Sequence, residues 1–111
     1  MSGRIVVGIE QTPAGERALA WAAQRATQRH RPLLIVSVIS GALGVVGEGE
    51  LLAETEREVA EWLDGEAARL TAAGVSVETA VLRGDPVAQI AQASAGDELL
   101  VIGSDYRGPG D

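Results

Sequence analysis

Three short, almost unbroken apolar runs constrain this chain more than any other feature of its sequence. They are read as strands over Arg4–Ile9, Leu33–Ile39 and Leu99–Ile102. A strand that is apolar on both faces needs cover on both faces, which is the situation of a parallel sheet sandwiched by helices. The stretches between the runs supply those helices. From Pro13 to about His30 the residues Leu19, Ala22, Ala23 and Ala26 fall on one helical stripe, and Trp21 falls off it, on a flank. From about Glu50 to Ala73 the stripe is Leu52, Val59, Leu63 and Leu70, with Glu54, Arg57, Glu58 and Glu61 toward water.

Local punctuation agrees with this division. Thr12-Pro13 and Asp85-Pro86 each read as an N-cap followed by proline at the first helical position, where its missing N–H costs nothing. Arg31-Pro32 ends the first helix and Gly74 ends the second. Val75–Val81 alternates with period two, which marks an edge strand with one drier face. A third helix follows Asp85, with Val87, Ile90, Ala91 and Ser94 expected inward. The order is β-α-β-α-β-α-β.

Right-handed crossovers restrict such a chain to few topologies. The expected fold is a single α/β domain over residues 1–111, doubly wound and Rossmann-like, with three α/β/α layers. Its open parallel sheet has four strands in the order 3-2-1-4. That order puts a switch point between strands one and four, and ligands of such sheets bind there, beyond the strand C-termini. The loops at that point are Glu10–Pro13 and Gly103–Asp111.

Composition removes several function classes. The hydrophobic fraction is 46% and the net charge is −7, with every one of the nine basic residues an arginine. Without lysine there is no P-loop lysine, Schiff base or lysine general base, and the glycine-rich Gly41–Gly49 stretch lacks the Gly-Lys-Ser/Thr ending of a phosphate loop. It reads as a connector or lid. The acidic balance argues against nucleic acid. Arg25, Arg29 and Arg31 gather near one helix end, where cations complement the helix dipole. No apolar run approaches the roughly 18 residues of a membrane span, and with Met1–Arg4 running straight into the first strand no signal peptide is expected. The absence of cysteine excludes disulfides and thiolate metal sites and suits a cytoplasmic protein. His30 is the only histidine, so no histidine metal cluster or serine–histidine–acid triad can be assembled.

Four stretches together resemble the universal stress protein family. Ile5-Val6-Val7-Gly8-Ile9-Glu10-Gln11-Thr12 followed by Ala18-Leu19-Ala20-Trp21-Ala22 is similar to its opening strand and helix. Arg83-Gly84-Asp85-Pro86 looks like its turn before the third helix, and Leu100-Val101-Ile102-Gly103-Ser104 like its fourth strand and the small residues after it. The resemblance implies an open five-stranded sheet, dimerised through its last strand, and in many members bound ATP. Carried onto this sequence it implies Glu10, Val38, Gly103 and Ser104 at the nucleotide. Ile9 and Ile102 adjoin them, and Arg107 and Gly108 stand near the phosphates. Asp105 and Asp111 are available to a magnesium ion with a triphosphate.

The chain also departs from the family pattern. Glu10 stands where aspartate is usual, Tyr106 falls on the second glycine of Gly-x-x-Gly, and the fifth strand, with its preceding helix and Gly-Ser, has no counterpart before Asp111. The domain is therefore expected to be C-terminally incomplete, since the outer edge of strand four would otherwise stand unpaired. Three functional readings follow. The first is a homodimeric regulatory domain that binds an adenine nucleotide, ATP by preference, with no dedicated catalytic residue. The second is a dimeric interaction module without nucleotide, favoured by Glu10 and Tyr106. The third is an enzyme transferring AMP, for which the phosphate signature residues are not found.

Overall fold

A computed structural model describes residues 3–10, 12–39, 48–96 and 99–103. The elements are β1 (Ile5–Ile9), α1 (Pro13–Arg29), β2 (Leu33–Ile39), α2 (Glu48–Ala72), β3 (Val77–Arg83), α3 (Pro86–Ala93) and β4 (Leu99–Gly103). The strands form one parallel sheet in the order β3-β2-β1-β4. β1 is central: Ile5 lies opposite Leu33 of β2 on one side and Leu99 of β4 on the other.

Alternation along the strands divides the core in two. Ile5, Val7, Ile9, Leu33 and Ile35 pack on one face with Leu19, Ala22, Ala23 and Ala26 of α1 and Leu63 and Leu70 of α2. Val6, Leu34 and Val36 point to the other face, against Ile90 of α3. Burial of both faces is what the unbroken Val/Ile/Leu character of β1 and β2 requires. The two helices α1 and α2 thus share one side of the sheet, with α3 on the other.

The caps act as the residue types dictate. Thr12 holds extended backbone and its hydroxyl accepts from the Gly15 N–H at 3.1 Å; the Asp85 carboxylate accepts from the Ala88 N–H at 2.9 Å. Helix α2 closes at Gly74, φ +97°, with the Gly74 and Val75 N–H groups donating to the carbonyls of Thr71 and Leu70.

That closure corrects the reading of Val75–Val81 as the third strand. Val75 is spent on ending α2: its side chain is buried in the cluster with Leu70 and the ladder begins only at Val77, pairing with Leu33. The strand then runs two residues further, to Arg83, whose guanidinium pairs with Glu56 of α2. Two smaller corrections concern helices. Glu48 and Gly49, read as loop, lie in the first turn of α2. Ala91 of α3 is exposed, and Ala93 packs inward beside Ile90 instead, because this eight-residue helix presents only a narrow stripe to the sheet. The rest of the Gly41–Gly49 stretch and the side chains of Leu52 and Val87 lie outside what is described.

Candidate functional site

The switch point lies between β1 and β4. From β1 the chain crosses through α1 to β2 on one side, whereas β4 adds to the other side after α3. Both strands therefore deliver their C-terminal ends to a crevice that neither crossover covers. Ile9 and Gly103 are register partners at its floor. Ile9 is buried, 4% exposed, and Glu10, the next residue, is exposed. Val38, near the end of β2 and half-buried, flanks them, two residues beyond the Val36 that pairs with Gly8.

The backbone after β1 folds down tightly onto α1. The Thr12 N–H donates to the Glu10 carbonyl at 2.8 Å, a three-residue turn, and the Glu16 N–H donates to the Thr12 carbonyl at 2.9 Å. Gly15 makes this descent possible. A Cβ at Gly15 would overlap the Glu10 carbonyl oxygen outright and crowd the Glu10 carbonyl carbon and amide nitrogen at 3.1 and 3.2 Å. Sequence reasoning missed Gly15, since a glycine in the first turn of a helix carries no signal of what lies beneath it. Gly8 is a second close approach, its absent Cβ facing the Ile90 side chain of α3.

Of the residues expected at the ligand, Ile9, Glu10, Val38 and the backbones of Ile102 and Gly103 come together at this end of the sheet. Ser104, Arg107 and Gly108, with Asp105, Tyr106 and Asp111, lie outside the described residues. His30 stands at the opposite end, as the left-handed residue (φ +55°) that stops α1. Beside it, at the N-terminal ends of β2 and β3, is a cleft of about 320 Å³ lined by Thr27, His30, Arg31 and Ser76 among others. Among the described residues no cluster of three or more His, Cys, Asp or Glu side chains could hold a metal ion. Among them, too, no helix is long and apolar enough to cross a membrane.

Comparison with known proteins bears on family and fold. The universal stress protein family matches residues 1–110. The chain belongs to that family. It is 33% identical over 108 residues to the universal stress protein Rv3134c of Mycobacterium tuberculosis, which aligns with 90% of this chain; the chain spans only 37% of that relative's length. Solved structures of universal stress proteins share its α/β fold. One from Burkholderia pseudomallei superposes with a TM-score of 0.72 at 21% identity, over 90% of this chain and 80% of that one. The Archaeoglobus fulgidus protein in complex with dAMP gives 0.69 at 23%, over 90% and 79%. The Arabidopsis thaliana protein At3g01520 with AMP bound gives 0.60 at 16%, over 96% and 79%.

Proposed function

We propose that this universal stress protein domain binds an adenine nucleotide, with ATP the first choice, in the crevice at the C-terminal ends of β1 and β4. The observation that carries the reading is the exposure of Glu10 directly after the buried Ile9, at the one place in the sheet where two strand ends are left uncovered by crossovers. Relatives of the same fold carry AMP and dAMP, which supports an adenine nucleotide as the ligand class.

The residues present suit such a group. A carboxylate at Glu10 can accept hydrogen bonds from ribose hydroxyls, half-buried Val38 offers apolar surface to a base while Ile9, buried beneath Glu10, fixes the backbone there, and glycine at 103 leaves backbone free to approach phosphate. Ser104, Arg107 and Gly108 complete the site in this reading, with magnesium accompanying a triphosphate. A fifth strand beside β4, homodimerisation and a cytoplasmic location belong to the same proposal. The chain's own part is binding and orientation; no residue is assigned to bond cleavage, and nucleotide occupancy acts through conformation or assembly.

Calorimetric titration with ATP and AMP, with and without magnesium, tests this. Saturable binding is expected, and Glu10→Gln, which removes one charged acceptor, is expected to weaken it by about tenfold or more, while Glu58→Gln on the outer face of α2 leaves it unchanged. Absence of saturable binding at millimolar nucleotide would favour the nucleotide-free interaction module.

A further inference from the structure

Helix α3 rests on the sheet chiefly through one side chain. Among its described residues Ile90 alone is buried, and it completes the cluster of Val6, Leu34 and Val36 on that face. Gly8 provides the seat. A Cβ added there would stand 2.7, 3.4 and 3.7 Å from the Cδ1, Cγ1 and Cγ2 atoms of Ile90, so this one side chain fills the place where β1 has none. The seat lies just beneath the crevice. Gly8 pairs with Val36 on one side and Ile102 on the other, one residue below the Ile9–Gly103 pair at the crevice floor. Val38 packs against the same cluster as Ile90. The next residue along β2, Ile39, accepts at its carbonyl from the Gly84 N–H at 3.2 Å, in the turn that leads into α3. The end of β2 and the start of α3 are thus joined both by backbone and by side chains.

We propose that Ile90 is a positioning residue for the nucleotide, acting through Gly8 and Val38 without touching the ligand. The inference rests on the crevice being the nucleotide site. A close-packed interior passes a displacement on instead of absorbing it. Ile90 seated at Gly8 fixes how far α3 stands from β1, and the cluster it completes supports the side chain of Val38, which offers the base its apolar surface. A methyl added at Gly8 lifts α3 off its seat; a methyl removed from Ile90 lets α3 settle deeper. Either change shifts Val38 relative to Glu10, in a site whose groups must be held to within about 0.5 Å to bind well.

Calorimetric titration of the full chain with AMP and ATP tests this on Gly8→Ala, Ile90→Val, the two combined, and Ile35→Val. The last removes the same methyl from the other face of the sheet, under α1 and α2. Circular dichroism and thermal unfolding confirm that each variant folds and rank their stabilities. Gly8→Ala and Ile90→Val are each expected to weaken binding by about threefold or more. In the combined variant the added carbon takes the place of the removed one, and affinity is expected to return to within about twofold of the unaltered chain. Ile35→Val is expected to lower the melting temperature and leave affinity unchanged, which separates positioning from stability. Should Gly8→Ala fail to fold, Ile90→Val against Ile35→Val carries the test. Unaltered affinity in both single variants on the α3 face overturns the proposal. So does a combined variant weaker than either single one, or a loss at Ile35→Val as large as at Ile90→Val. In those cases the unaltered chain still binds and the crevice reading stands; an unaltered chain that binds neither nucleotide defeats the crevice reading first, and the inference with it.

Discussion

Gly15 and Gly65 both sit inside helices, where glycine ordinarily costs about 1 kcal/mol relative to alanine, but their surroundings make opposite demands. Around Gly65, in the C-terminal half of α2, an added Cβ would meet nothing within 4 Å. Gly65→Ala should therefore stabilise the domain by about 1 kcal/mol, a rise in midpoint of about 4 °C in thermal unfolding. At Gly15 the added methyl meets backbone, which cannot rotate away as a side chain can. Gly15→Ala should cost about 1–3 kcal/mol, and because the strain falls on the Glu10 carbonyl, it should weaken the proposed nucleotide binding even below the melting transition. A stability loss with unaltered affinity would separate the turn from the site. Glycine looks the same in both places along the sequence; only the chain folded back beneath it tells them apart.

Among the elements, α1 and α3 start with the same device, a capping side chain ahead of a proline, and each cap closes one backbone donor. Thr12→Ala and Asp85→Ala should each cost about 1 kcal/mol, and the two caps lie on opposite sides of the sheet, so the losses should add within about 0.5 kcal/mol in urea unfolding. A larger coupling would mean that the caps communicate through the sheet. Leu63, fully buried at the centre of α2's inner stripe, should be the costlier truncation, about 2–5 kcal/mol for Leu63→Ala. These elements were legible because caps, prolines and apolar periods are local signals. The start of β3 was not. Val75 and Val77 alternate as strand residues do, and only the hydrogen bond from the Val75 N–H to the Leu70 carbonyl assigns Val75 to the closure of α2. Trp62 was likewise missed: it packs against the core although the helical stripe is already filled by leucine and valine.

For the molecule as a whole, the parallel α/β class could be read from three apolar runs because burial on both faces leaves no polar alternation to confuse them. Part of the candidate site was equally legible, in that the exposed position of Glu10 follows directly from where β1 stops. What joins it there depends on residues far apart in sequence and on close approaches such as Gly15, neither of which leaves a pattern in composition or period. The central place of β1 has a further consequence, for the order in which the domain is made. The Ile5 N–H donates to the Pro32 carbonyl, so by alternation the amide of Val7 also faces β2, while those of Val6 and Gly8 face β4. The partner on the β2 side follows after one helix, whereas the partner on the β4 side arrives after three helices and two further strands. During synthesis or refolding, β1 must wait with one edge open, a long-range closure of the kind that slows folding. Pulsed hydrogen exchange during refolding should find Val7 protected before Val6 and Gly8; simultaneous protection of all three would mean that the four strands condense together. Until β4 arrives, the apolar centre of this sheet is an edge, and that interval is when the nascent chain most needs shielding from its neighbours.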